Sequence, residues 1–304
     1  MEQLPASRGS KIMRHDAIRR NHIVRKLYSL LQPLVFAANS TISRLKRLIV
    51  GKTVDALLVN SKQGLFLIGP EDLGVGGSLI KDGAYGEDEI QRISSLTNER
   101  SNVLFVGSHI GTLAIPTSRK VKHVTAIEAN PNTFRLLTWN ILLNNCQNIH
   151  AIQVAASDQK GQLEFIMSKA NSGGSKRMPH IKAYKYFYDK PDTVKVNADR
   201  LDLVIPEDYD LIVMDIEGSE YFALKGMERL LANATHLIIE FIPHHLKNVS
   251  AITVKEFVAL IEPHFRTLNI PSKKLVLQRP QFLPALDEMY SLNESDDGVI
   301  FSKG

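Results

Sequence analysis

Two glycines, one glutamate and a run of three carboxylates are the residues of this 304-residue chain whose types and spacing suit chemistry. Gly107 and Gly111 sit in Val106-Gly107-Ser108-His109-Ile110-Gly111, directly after the apolar run Val103–Val106. Glycines at a strand-to-helix turn let the backbone approach a ligand, because no Cβ intervenes. The helix that follows presents free N–H groups at its start. Glu128 closes the next apolar run. An acid there can accept both hydroxyl hydrogens of an adenosine ribose, as in NAD enzymes and in methyltransferases. The Gly-x-Gly-x-x-Gly dinucleotide fingerprint is absent, since position 109 is His, which favours a smaller adenosine cofactor.

The third group is Met214-Asp215-Ile216-Glu217-Gly218-Ser219-Glu220. Carboxylates this close repel one another unless cations or hydrogen-bond donors are near. A sulfonium cofactor with an amino group is such a partner. A divalent ion held by residues 215, 217 and 220 is a second reading, although no metal is expected. A solvated helix start, with Glu217 and Glu220 near the positive end of the dipole, is a third.

These residues need a frame that delivers several strand ends to one edge. From Val103 onward, short apolar runs alternate with helical patterns. Strands are expected at Val103–Val106, Val124–Ile127, Ile149–Ala155, Leu163–Met167, Leu211–Met214, Leu237–Phe241 and Gly298–Ser302. Helices are expected at Glu87–Asn98, Thr112–Arg119, Pro131–Asn144, Tyr221–Leu231 and Val254–Ile261. Asn130 and Pro131 suit the N-cap and first helical position. Such alternation predicts an α/β fold, a mostly parallel sheet with helices on both faces. Ligands bind outside the carboxyl ends of such strands. A hairpin is expected ahead of it, Val54–Asn60 with Leu65–Gly69, then a Gly-rich irregular stretch over 71–86. Residues 168–197, rich in Lys and Tyr, break the rhythm. They read as a substrate-facing flap or as a surface insertion.

Composition is that of a soluble globular protein, 44% hydrophobic and 23% charged. The lone Cys146 excludes an intramolecular disulfide and suits a reducing, cytoplasmic setting. No apolar run is long enough to span a bilayer. Residues 1–52 hold Arg8, Lys11, Arg14, Arg19, Arg20, Arg25, Lys26, Arg44, Lys46, Arg47 and Lys52 against Glu2 and Asp16. With a net charge of +5, the remainder is therefore mildly acidic. Residues 1–15 are expected to be disordered and 16–50 to form one or two amphipathic helices. That basic leader either packs on the body or makes peripheral membrane or partner contact. No module or aromatic interleaving points to nucleic acid. The expected organisation is 1–52 as a basic, partly helical extension, 53–98 as hairpin and helix, and 99–304 as the main domain.

Taken in order, these stretches resemble the FkbM family of class I methyltransferases over roughly Gly83–Glu240. The matching pieces are Val106–Gly111, Ile127-Glu128-Ala129-Asn130-Pro131, Leu142-Leu143-Asn144, Ala155-Ala156-Ser157-Asp158 with Gly161, and Asp215–Glu220 followed by Leu224-Lys225-Gly226. The resemblance implies a Rossmann-like, doubly wound sheet whose last strand is antiparallel. It implies S-adenosyl-L-methionine as cofactor and O-methylation of a sugar or small metabolite. Val106, Gly107, Ser108 and Gly111 would line its methionine end. Glu128 and Ala129 would hold the ribose. Ala156 and Asp158 would border the adenine, and Asp215 would face methionine and acceptor. The family usually carries an acid two residues before the first glycine, an Asn two after it, and a Lys just ahead of Asp-x-Glu-Gly; this chain has Phe105, His109 and Val213.

Methyl transfer to a hydroxyl gains from orientation and from a base. Asp215 or Glu217 is expected to orient the acceptor, with His109 as a candidate base; His244 and His245 are further candidates. A catalytically weak or inactive adenosine-cofactor scaffold and a Rossmann-type oxidoreductase are the rival readings.

Overall fold

The computed structural model describes residues 22–304, with side chains from residue 31 onward. The disorder expected of residues 1–15 and the helix start at Asp16 lie outside the described residues. The strands are β1 Leu57–Ser61, β2 Gly64–Ile68, β3 Asn102–Val106, β4 His123–Glu128, β5 Ile149–Gln153, β6 Ala155–Ala156, β7 Gly161–Met167, β8 Lys176–Arg177, β9 Asp192–Asp199, β10 Leu211–Met214, β11 His236–Phe241, β12 Thr267–Ile270, β13 Leu275–Gln278 and β14 Asp296–Ser302. Eight of them form one sheet in the order β13-β12-β14-β11-β10-β3-β4-β5. From β11 to β5 all neighbours are parallel. β14 runs antiparallel between β11 and β12. This is the doubly wound, mostly parallel sheet with an antiparallel last strand that the alternating pattern and the resemblance imply.

The central strands are apolar throughout because both faces are covered. Leu104, Val106, Ile212 and Met214 face one core, with Phe241, Phe257 and Phe301. Val103, Phe105, Leu211 and Val213 face the other, with Ile93 and Ile238. Phe105 and Val213 stand directly opposite each other on β3 and β10.

The structure departs from the sequence reading in several places. Residues 71–86 contain the helix Val75–Asp82. Its start is held by Asp72, whose carboxylate accepts the N–H groups of Gly74 and Gly76, 3.0 and 2.7 Å away. The expected strand Ile149–Ala155 divides into β5 and β6, which belong to different sheets. The expected helix Tyr221–Leu231 breaks into Glu220–Lys225 and Glu228–Asn233. At Gly226 a Cβ would sit 2.0 Å from the Ser157 carbonyl oxygen, so this junction is pressed against a neighbouring loop. β9, β12, β13 and the helix Phe282–Ser291 are further elements with no counterpart in the sequence reading.

The leading hairpin β1–β2 docks on the helix Pro131–Leu143 rather than on a sheet edge. Asn140 accepts the Leu67 N–H at 2.6 Å and donates to the Leu67 carbonyl at 3.1 Å. Asn144, one turn later, does the same for Leu65 at 3.1 and 2.7 Å. Two side-chain amides thus stand in for the missing neighbour strand of β2. Asn130 caps this helix, accepting from the N–H groups of Asn132 and Thr133.

Candidate functional site

A cavity of about 420 Å³ opens at the carboxyl ends of β3, β4 and β10. That is where a doubly wound sheet places its ligands, and the volume is in the range of small-molecule sites. Val106, Gly107, Ser108, His109, Glu128, Ala129, Ala156, Asp215 and Glu217 all line it. Gly111 and Asp158 do not. Gly111 (φ +92°) packs inward, where a Cβ would lie 2.9 Å from Leu137 and 3.0 Å from Ile115. Asp158 lies outside the lining, paired with Lys225 at 3.1 Å.

The glycine turn is shaped by its own chain as much as by any ligand. Gly107 has φ +90°, and a Cβ there would sit 1.9 Å from the Asp215 carbonyl oxygen. The turn after β3 and the turn after β10 therefore meet backbone to backbone, which brings Asp215 beside Gly107. Two further residues of the site hold left-handed backbone: His109 at φ 50° and Glu217 at φ 57°. Such conformations are costly for non-glycine residues and concentrate where surrounding structure over-determines them.

Glu128 is 8% exposed. One carboxylate oxygen accepts the His109 N–H and the other the Asn130 N–H, both at 2.8 Å. Burial nevertheless pushes its pKa up to about 7, because those bonds offset only part of the desolvation. Each oxygen keeps a second lone pair. His109 contributes its side chain as well. Its Nε2 lies 2.8 Å from Ser172 Oγ, while its buried Nδ1 has no hydrogen-bond partner. Burial lowers its pKa, with Asp72 and Glu217 opposing, so the ring is neutral at neutral pH.

Asp215 is exposed to the cavity, and the enclosure of that cavity, together with the charges of Glu217 and Glu220, raises its pKa well above the ordinary carboxylate range. Glu220 does not line the cavity and accepts the N–H groups of Ile216 and Gly218 at 3.0 and 3.2 Å. Glu217 is held from behind: Lys176 Nζ reaches it at 2.6 Å and His245 Nε2 at 3.2 Å. The other nitrogen of His245 meets Glu240 at 3.2 Å. Burial and the charge of Lys176 drive the His245 pKa far down, and burial beside Asp215 and Glu217 drives Glu240 far up. Protonated Glu240 can thus donate to a neutral His245, which in turn donates to Glu217. His244 hydrogen-bonds Tyr186 at 3.1 Å, and burial lowers its pKa to about 3. Neither His244 nor His245 lines the cavity.

Asp215, Glu220 and Glu240 bring carboxylate oxygens within 4.8 Å of one another. The acid added here is Glu240, not the Glu217 of the sequence reading, because Glu217 is engaged by Lys176. Cation chemistry is open to this trio, and burial with mutual repulsion raises the pKa of each of the three acids.

Several lining residues escape a reading of motifs. Leu73, Ser78 and Tyr85 come from the segment read as irregular, and Ser172 and Arg177 from the 168–197 segment. Burial and the acids Asp215 and Glu89 raise the Tyr85 phenol. The Arg177 guanidinium stacks 3.8 Å over the Phe222 ring, and one of its buried nitrogens has no hydrogen-bond partner. None of these residues belongs to a motif; Arg177 alone falls in a compositionally distinct stretch, the Lys-, Arg- and Tyr-dense 176–190.

A family model, the methyltransferase FkbM domain, matches residues 106–267. The hexuronic acid methyltransferase AglP of Haloferax volcanii is 30% identical over 159 residues, covering 51% of this chain and 62% of that protein. The chain thus spans less than two thirds of the length of this curated relative. Among solved structures, an FkbM methyltransferase of Methylobacillus flagellatus is 17% identical, with a TM-score of 0.41 over 69% of this chain and 47% of that one. A TehB-like SAM-dependent methyltransferase of Corynebacterium glutamicum is 13% identical, with a TM-score of 0.42 over 75% of this chain and 94% of that one. The family match takes in the glycine turn, Glu128 and the Asp215–Glu220 run, and it covers more than half of the chain: this protein belongs to the FkbM methyltransferase family.

Proposed function

We propose that the protein transfers the methyl group of S-adenosyl-L-methionine to a hydroxyl of a sugar or small metabolite, with hexuronic acids the first class of acceptor to try. The observation that carries this reading is one continuous cavity with Glu128 and Asp215 both in its lining. The residues present fit the cofactor. Glu128 retains lone pairs for two ribose hydroxyls. The carboxylates of Asp215 and Glu217 suit a cationic ligand. The buried Nδ1 of His109 is uncommitted. Family membership and the AglP relationship support the chemistry and the acceptor class respectively.

When bound, the cofactor supplies an electrophilic methyl group on a sulfonium, so the protein's task is chiefly orientation and desolvation. Asp215, in its ionised form, takes the acceptor's hydroxyl proton; its raised pKa makes that form a stronger base than an ordinary carboxylate. Glu217, pinned by Lys176 and His245, orients the acceptor without moving. His109 fixes the roof through Ser172 and offers its free ring nitrogen to the bound ligands.

One observation favours a second reading. Phe105 and Val213 stand side by side in the cavity lining, at the positions where the resemblance to the family implies an acid and a lysine. An apolar wall there suits a cofactor-binding scaffold without turnover. Calorimetric titration with S-adenosylmethionine and with NAD, followed by labelled methyl transfer to hexuronic acids, separates these readings. Heat with S-adenosylmethionine alone, and label in the acceptor, is the expected result. Cofactor binding without transfer to any hydroxyl acceptor supports the scaffold. Binding of NAD alone sinks both.

A further inference from the structure

Over residues 31–50 the helix His22–Val50 is docked by its polar face, with its apolar face turned outward. Ser43 Oγ donates to the Glu71 carbonyl at 2.9 Å, and Lys46 Nζ to the Asp72 carbonyl at 2.8 Å. Arg47 donates to the carbonyls of Val54 and Lys52 at 2.6 and 2.9 Å. Ser40 and Ser43 are buried. Phe36 is the aromatic contact on this side, stacked 4.8 Å from Tyr188. Leu34, Val35, Ile42, Leu45, Leu48 and Ile49 recur at helical spacing on the other side, and every one is exposed; Leu48 and Ile49 reach 67% and 84%. A helix that only packed on the body would bury that stripe and expose its serines. Here the order is reversed.

We infer that this helix is an in-plane anchor that lies on an anionic lipid surface. Charge complementarity selects the occupant. Residues 22–52 contain no Asp or Glu and, besides the Lys46 and Arg47 that donate to the body, Arg25, Lys26, Arg44 and Lys52, the pattern that draws a chain to acidic headgroups while its apolar stripe enters the acyl boundary. No described helix is long and apolar enough to cross a membrane, so the helix lies on the surface. The anchor also touches the roof of the cavity. Phe36 rests on the 168–197 segment, and the Asp72 beneath Lys46 accepts the N–H of Ser172, the partner of His109. Lipid binding would therefore hold the cavity mouth close to the bilayer. This inference does not depend on the methyl-transfer reading.

Co-sedimentation of the full chain with phosphatidylcholine vesicles, with and without phosphatidylserine, tests it. The expected result is binding to the anionic vesicles only, weakened by added salt as exposed charges are screened. Leu45→Glu with Leu48→Glu is expected to reduce binding by about tenfold or more, since it puts charge into the apolar face. An unchanged thermal melt separates this loss from unfolding. Arg44→Glu, beside the stripe, is expected to give a smaller loss that high salt abolishes. No binding, or equal binding to both vesicles, overturns the inference. So does a dimer in light scattering that the double substitution makes monomeric while wild-type protein ignores vesicles, because the stripe would then cover a second copy.

Discussion

The cavity has two unlike walls. The wall at the sheet edge, Val106 to Ser108 with Glu128, Ala129 and Ala156, is built from strand ends and their first turn residues. Its geometry is set by backbone: a glycine pressed on the Asp215 carbonyl, and a carboxylate clasped by two N–H groups. The other wall is the part of the lining set by side chains, on the same turns and on the segments after Gly69 and over 168–197. It includes Tyr85, His109, Ser172, Arg177, Asp215 and Glu217. Two of its members, His109 and Arg177, hold buried nitrogens without partners. Such groups are expensive unless a ligand completes them. The backbone wall suits a ligand that stays the same across a family, and the side-chain wall a ligand that varies.

The largest effect that would break this contrast is at Asp215. Asp215→Asn is expected to lower the methyl-transfer rate by about 10²–10⁴-fold while cofactor binding changes little. A comparable loss in cofactor affinity would move Asp215 to the other wall. Next is the support behind Glu217. Lys176 and Glu217 pair with side chains only 5% and 20% exposed. Lys176→Met should cost about 3–5 kcal/mol in a urea titration, since it strands a buried carboxylate. Lys176→Met with Glu217→Leu should recover most of that loss; no recovery would mean the pair is not the cause.

Gly107→Ala tests the backbone wall. A Cβ cannot share space with the Asp215 carbonyl, and φ +90° disfavours any side chain. Destabilisation of about 3 kcal/mol is expected, with cofactor affinity falling alongside. Full stability with lost affinity would show that the glycine serves the ligand alone. The smallest effect concerns the proton on Glu128. Its pKa in the folded protein is raised from 4.5 to about 7. Below that pH it carries a proton and accepts ribose hydroxyls less well, so affinity should rise with pH. The gain between about pH 6 and pH 8 is at most about tenfold. Calorimetry in buffers of different ionisation heat should show proton release on binding near pH 6.5. A flat profile would show that Glu128 does not meet the ribose.

The two walls also differ in how far they could be read in advance. Val103–Val106, Leu211–Met214 and Val254–Ile261 are legible because burial on both faces, or a 3.6-residue stripe with the Thr253 cap, writes a local pattern. Glu128 and Asp215 follow because they end such runs. Tyr85, Ser172 and Arg177 carry no local signal, and the helix Val75–Asp82 hides behind glycines because Asp72 supplies its cap from outside the periodic pattern. No element is assigned between Ile261 and Gly298 from the sequence, although β12, β13 and the helix Phe282–Ser291 lie there. β12 is only four residues long and takes its place by pairing with β14, far away in sequence.

From the order of its motifs alone, the chain determines its class of sheet, the strand ends that meet at the cavity, and the acids those ends deliver. These depend on hydrophobic period and on which residue follows a buried run, and both are local. Only the tertiary structure decides what each acid is. It turns Glu220 onto its own backbone, ties Glu217 to Lys176 and His245, adds Glu240, and leaves Asp215 open to the cavity. It also decides which face of the basic helix meets the body. Charge state and exposure are set by groups distant in sequence, through burial and contact, and no local pattern records them.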